Sequence, residues 1–212
     1  VLHPHNKISN MQRKIMTSEN FYYSNEISKN IFNIAVKGNF DDCQNLVKHM
    51  FNDENFRKKI KMSGVNSINW ARIVFQIVYY FYSYFKLSTK DKINFSVPTG
   101  NFGDVYAGYL AQKMGLPINK LIVSTNENDI LQRVINKGEY KPTKVKSSIS
   151  PSMDIQVASN FERLIFDALK TNDKEVVSLM LELKKNGSFK LKKEALEFIQ
   201  KRFSAVKVDD VE

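Results

Sequence analysis

The sequence predicts an α/β fold, with a mostly parallel sheet flanked by helices. Three observations predict it. Short apolar runs rich in β-branched residues alternate with helix-length stretches, and the β-α-β-α order builds parallel sheets. The segment Phe95-Ser96-Val97-Pro98-Thr99-Gly100-Asn101-Phe102-Gly103-Asp104 reads as a strand, a tight glycine loop and a helix start. Hydrophobic residues make up 42% of the 212 and aromatic residues 12%. That suffices for a packed core, while no apolar run reaches the roughly 18 residues that span a bilayer.

The elements follow in order. Ile8 to Thr17 has helical character, with Ser9 as its cap. Ile31 to Val36 suits a buried strand, and Lys37-Gly38-Asn39 ends it. Asp41 and Asp42 begin a helix through Phe51, placing acids at its positive end. A short helix over Asn55 to Met62 follows. The longest helix runs from Ser67 to Phe85, capped by Asn66 or Ser67. Its Tyr79-Tyr80-Phe81-Tyr82 run points to burial on several sides rather than to an aromatic platform. Ile93 to Val97 is a strand, and Asp104 to Met114 a helix ended by Gly115. Leu121 to Ser124 is a strand and Asp129 to Asn136 a helix, followed by a loop over Lys137 to Pro151. Helices close the chain over Asn160 to Thr171, Lys174 to Lys185 and Lys192 to Phe203.

Composition excludes several functions. Cys43 is the only cysteine, so no disulfide framework or cysteine-rich zinc site forms within the chain, and a reducing, cytoplasmic setting is expected. Cys43 itself reads as a packed small residue rather than a nucleophile. His3, His5 and His49 show no metal-ligand spacing, so no metal is expected. The net charge of +10 is spread among Asn, Ile and Glu with no basic block interleaved with aromatics. It argues for attraction of anionic small molecules rather than for nucleic-acid binding. The start, Val1-Leu2-His3-Pro4-His5, carries neither a leader pattern nor an initiating Met, as expected of a fragment or a processed chain. No membrane association is expected, and nothing in the chain signals an oligomeric state.

The glycine loop carries the chemistry. A strand, a glycine turn and a helix N-terminus present backbone N–H groups and a positive dipole end to an anion. A nucleotide P-loop needs Gly-x-x-x-x-Gly-Lys-Ser/Thr and a dinucleotide fingerprint Gly-x-Gly-x-x-Gly. Thr99-Gly100-Asn101-Phe102-Gly103-Asp104 has neither, and a single monophosphate suits it better. A second cluster, Ser63-Gly64-Val65-Asn66-Ser67-Ile68-Asn69-Trp70-Ala71-Arg72, gathers small polar side chains and an Arg at the start of the longest helix. It reads equally as a second anion site or as a well-capped helix with a surface Arg.

At these residues the chain resembles the threonine synthase family. Five segments carry the resemblance, in order and with matching spacing over nearly the whole chain. They are Gly38-Asn39-Phe40-Asp41-Asp42-Cys43-Gln44, the Val65–Arg72 segment, Pro98 to Asp104, Ser124-Thr125-Asn126-Glu127-Asn128-Asp129-Ile130-Leu131, and Ser150-Pro151-Ser152-Met153-Asp154-Ile155 with Ser159-Asn160-Phe161-Glu162-Arg163. The resemblance implies a pyridoxal 5'-phosphate enzyme of fold-type II, tryptophan-synthase-β-like. It implies conversion of O-phospho-L-homoserine and water into L-threonine and phosphate, with the cofactor as electron sink. Carried over by position, Gly100, Asn101, Phe102 and Gly103 hold the cofactor phosphate, flanked by Thr99 and Asp104. Asn66, Ser67 and Arg72 grip the substrate phosphate, and Asn69 supports their turn.

The chain also departs from the family. The family's Schiff-base lysine precedes the glycine loop in a Ser-Phe-Lys-Asp-like context. Here Ser188-Phe189-Lys190 is followed by Leu191 and comes after the loop, so Lys190 is a chance match and no catalytic residue is assigned. The family's Asn beside the cofactor ring belongs upstream, and its Asp-Pro-His-Thr segment downstream. Residues 1–212 therefore read as the central part of a threonine synthase catalytic region, incomplete at both ends and inactive alone. Asp154 and Arg163 are candidates for lining the site, while Ser152-Met153-Asp154 also reads as a segment that shapes a loop. Two rivals remain: another fold-type II enzyme, such as a threonine dehydratase or cysteine synthase relative, and a non-catalytic phosphate-binding module.

Overall fold

The structure is a computed structural model that describes residues 2–11, 33–60, 62 and 68–209. Its contacts divide the chain into two compact units, Val1–Ser63 and Gly64–Glu212.

In the first unit, β1 (Leu2–Pro4) pairs in parallel with β2 (Ile34–Val36), Leu2 opposite Ile34 and Pro4 opposite Val36. The strand expected over Ile31 to Val36 is found where it is described, but not buried: Ile34 is 56% exposed. A two-stranded ribbon has no second layer to cover both its faces. Asn10 and Met11 are helical, and the rest of the expected helix over Ile8 to Thr17 lies outside the described residues. Helix α1 (Phe40–Asn52) begins at a capping box: Asn39 Oδ1 accepts from the Asp42 N–H at 3.0 Å and Asp42 Oδ2 from the Asn39 N–H at 2.7 Å. Asp42 thus serves the helix start twice, by dipole and by cap, and Asp41 by dipole. Cys43 is buried on α1, and burial together with the neighbouring Asp42 raises its thiol pKa, as expected of a packed residue rather than a nucleophile. Helix α2 (Glu54–Ile60) follows.

In the second unit, three parallel strands form a sheet in the order β3 (Ile93–Pro98), β4 (Ile118–Thr125), β7 (Phe203–Lys207). Val97 sits opposite Val123, and Val123 opposite Ala205. The sequence reading carried its last helix through Phe203; helix α8 (Lys193–Gln200) stops short and β7 replaces its end. Alternation betrays the strand, since Phe203 and Ala205 are buried and Val206 is not. A second small pair, β5 (Glu139–Tyr140) and β6 (Phe189–Lys190), runs antiparallel and stacks Tyr140 on Phe189 at 4.8 Å. Lys190 is exposed on this pair, outside the sheet that carries the glycine loop.

Helices cover the sheet. They are α3 (Trp70–Lys86), α4 (Gly103–Lys113), α5 (Ile130–Lys137), α6 (Phe161–Ala168), α7 (Asp173–Asn186) and α8. Asn69, not Asn66 or Ser67, is the N-cap of α3, its Oδ1 accepting from the Ala71 N–H at 2.9 Å. Among the described residues α3 is buried on one face, through Ile73, Tyr80 and Tyr84. Phe75, Tyr79, Tyr82 and Phe85 are 63–71% exposed, so burial on several sides is not found. The reason lies in the packing of α3 on α4: a Cβ at Gly108 of α4 would sit 2.5 Å from the Tyr80 ring. A glycine lets one face of α3 approach α4 closely, and among the described residues the opposite face stays largely exposed.

Candidate anion site at the glycine loop

Strand β3 ends at Pro98, and α4 begins at Gly103. The four residues between them form the loop at the carboxyl end of a parallel strand, where ligands bind in open α/β sheets. Thr99 is buried and closes the strand end: its N–H donates to Ser124 O at 2.9 Å and its hydroxyl to Val97 O at 2.8 Å. Four successive N–H groups then follow, Gly100 to Gly103, with no acceptor among the described residues. The helix behind them adds its positive end.

Phe102 shapes the loop. Its φ of 67° is left-handed, a region that costs a side-chain residue about 1–2 kcal/mol. The ring offsets this by full burial, edge-on to Phe161 at 5.1 Å and tilted against Phe203 at 5.7 Å. The side chain of Phe102 is therefore committed to the core and not to a ligand. Gly100 is held from the other side, where a Cβ would lie 3.2 Å from both Ser152 O and Met153 Cα. The short 3-10 turn Pro151–Met153 thus lies against the loop.

That turn is tied down by Asp154. Its Oδ1 accepts from Asn126 Nδ2 at 2.8 Å, Asn128 Nδ2 at 3.1 Å and Ser148 Oγ at 2.6 Å, and its Oδ2 from the Ser148 N–H at 3.0 Å. Asn126 and Asn128 are both buried just past the end of β4. Asp154 shapes a loop, then, and the loop in turn braces the glycine segment.

Asp104 follows the loop on α4. Its carboxylate accepts from the Val105 N–H at 2.7 Å. Burial pushes its pKa up to about 6, with the Val105 and Asp104 N–H groups pulling it partly back. Tyr80 of α3 donates to the Asp104 carbonyl at 2.8 Å, and its hydroxyl pKa is raised by burial and by the Asp104 charge. Because the folded-state pKa of Asp104 exceeds its ordinary value of 3.8, its contribution to stability is complete below about pH 4 and is lost as pH rises through about 6. Asp104→Asn, which retains an acceptor, should flatten this part of the stability curve. Urea midpoints measured at pH 4 and pH 7 check it, with a difference of order 2 kcal/mol expected to shrink in the variant. An unchanged difference would assign the pH dependence elsewhere.

The second predicted cluster is described in part. Asn66 and Ser67 lie outside the described residues. Asn69 caps α3, and Arg72 lies exposed in its first turn, its N–H donating to Asn69 O at 3.1 Å. Sequence reasoning gave no role to Asn160, which is fully buried. It stands at the N-cap position of α6 without capping it. Its N–H and Nδ2 both donate to Asn101 O instead, at 3.1 and 3.2 Å. A cap-type residue before a helix was the available signal; its partner, 59 residues earlier, was not.

The chain is 47% identical to threonine synthase of Pseudomonas aeruginosa, with 99% of this chain aligned to 44% of that one. It is 43% identical to the threonine synthase of Saccharomyces cerevisiae, covering 42% of it. A crystal structure of pyridoxal-phosphate-bound threonine synthase from Brucella melitensis superimposes with a TM-score of 0.83 at 46% identity, covering 98% of this chain and 44% of that one.

Over nearly all of its length this chain matches part of the threonine synthases.

The chain spans less than half the length of the threonine synthases it matches. No protein-family model matches it. The parallel α/β layering expected from sequence is the threonine synthase arrangement over these residues. Among the described residues, no helix is long and apolar enough to cross a membrane, and no group of metal-ligating side chains gathers.

Proposed function

We propose that this chain forms the cofactor-phosphate and substrate-phosphate part of a threonine synthase, which converts O-phospho-L-homoserine and water into L-threonine and phosphate. One observation carries the reading: the unpaired N–H row from Gly100 to Gly103 at the end of β3 and the start of α4. Those donors fit the phosphate of pyridoxal 5'-phosphate, the cofactor named for the Brucella relative. When bound, the cofactor supplies an electron sink for carbanion chemistry. Gly100, Asn101, Phe102 and Gly103 offer it backbone donors, while Thr99 and Asp104 fasten the two ends of the loop. The +10 charge draws anionic substrate and cofactor toward the protein. Asn66, Ser67, Asn69 and Arg72 bind the substrate phosphate, with Arg72 as the charged donor. Residues 1–212 correspond on this reading to the central part of the catalytic region, working in the cytoplasm on small molecules without nucleic acid or membrane. The lysine that carries the cofactor belongs to no matched position here.

In the intact polypeptide, Arg72→Ala is expected to raise KM for O-phospho-L-homoserine about 10- to 100-fold, the loss of one charge-assisted contact, and to leave cofactor absorbance unchanged. Phosphate release across a substrate series measures it. Loss of cofactor absorbance would show that the two phosphate sites are assigned the wrong way round. Equal activity on substrates without the γ-phosphate would favour a dehydratase or cysteine-synthase relative.

A further inference from the structure

We propose that Arg163 is a positioning residue that couples the glycine loop to the start of α3, so that an anion in the loop is sensed at the first turn of that helix. The proposal rests on the phosphate reading of the loop given above.

The path is continuous. Asn101, in the middle of the loop, presents its carbonyl to both the N–H and Nδ2 of Asn160 at 3.1 and 3.2 Å, and its Oδ1 accepts from Ser159 Oγ at 3.3 Å. Asn160 Oδ1 accepts from Arg163 Nε at 3.0 Å. Arg163 Nη2 donates to Ile68 O at 3.0 Å, 95 residues away in sequence, and its guanidinium lies over the Trp70 ring at 5.2 Å. Ile68 and Trp70 flank Asn69, the N-cap of α3, and Arg72 is in the first turn of that helix. One planar fork therefore holds the loop's anchor and the helix start together.

The chemistry of each part suits a relay. Asn160 is fully buried, so its amide has no water to exchange with and must follow Asn101. An anion accepting the Gly100–Gly103 N–H groups acts on the peptide units that include the Asn101 carbonyl. Arginine fixes two acceptors at a set angle, which the single ammonium of lysine does not. Beyond Asn101 no residue of the path is assigned to the ligand, so Arg163 acts on substrate binding only through the loop and the helix.

Trp70 is the only tryptophan of the chain and reports directly on the far end of the path. The 212-residue chain is titrated with inorganic phosphate, following the amide resonances of Gly100, Asn101 and Gly103 together with Trp70 emission. Wild type is expected to show both signals moving with one Kd. In Arg163→Gln the loop amides should still titrate, with Kd within about threefold, while the Trp70 response disappears. Arg163→Lys should restore part of it, because it returns the charge over the ring but not the fork. Amide dispersion in the same spectra shows whether each variant is folded, and Arg163→Lys keeps the comparison open should Arg163→Gln not fold. A Trp70 response that survives in Arg163→Gln, or is absent in wild type while the loop amides move, overturns the relay and leaves the phosphate reading standing. Silent loop amides in wild type overturn the phosphate reading and the relay with it.

Discussion

Phe102→Ala is expected to cost about 3–5 kcal/mol, the usual price of emptying a fully buried aromatic site. The ring is in contact range of Phe161 and Phe203, and so joins α6 and β7 beneath the loop. A second variant makes the expectation sharper. The φ of 67° favours glycine, so Phe102→Gly should be more stable than Phe102→Ala by about 1 kcal/mol although it removes one more carbon. In an extended or right-handed segment the order would be reversed. Both variants should also loosen the Gly100–Gly103 N–H row, because the residue that turns the chain is no longer held by the core. Urea unfolding ranks the three proteins, and phosphate titration of the loop amides reads the second effect. If Phe102→Ala proved the more stable of the two, the left-handed conformation would not be what shapes this loop.

The second large effect is at Asp154. Asp154→Ala should cost about 2–4 kcal/mol, since it leaves the amide donors of Asn126 and Asn128 and the Ser148 N–H without their shared acceptor. Asp154→Asn should cost about half as much. Its Oδ1 still accepts, but its amide nitrogen would face the Ser148 N–H, donor against donor. The consequence for function is transmitted by packing. The turn Pro151–Met153, immediately before Asp154, sets the backbone that lies against Gly100. Both variants are therefore expected to weaken phosphate binding at the loop, in the same order as their loss of stability. A variant that lost stability but bound phosphate with unchanged Kd would show the brace to be structural alone.

How much of this could be read beforehand differs from element to element. The helix at Phe40, with acids in its first turn, was legible because a cap and its helix are neighbours in sequence. So was the loop, since a strand, two glycines and a helix start fall within ten residues. Strand β7 was not: five residues after a helix continue the helical pattern as readily as they begin a strand, and their pairing with β4 decides. The exposed face of α3 carries the same aromatic residues as a buried helix would, and only its neighbours tell the two apart. The Asp154 hub was half visible, as a residue that could line the site or shape a loop, with its partners unassigned.

By itself, then, the sequence determined the parallel α/β class, the glycine loop, the acids that open α1 and the resemblance to threonine synthases, all set by short spacings or contiguous motifs. Tertiary structure decided that Phe102 is a left-handed core residue, that Asp154 ties down the Pro151–Met153 turn, and that Asn160 and Arg163 join the loop to α3. The contacts that decide these points include pairs far apart in sequence: Asn128 and Asp154 are separated by 26 positions, Asn101 and Asn160 by 59, and Ile68 and Arg163 by 95. Residue type limits which partners are possible at such separations, and only the folded chain selects among them.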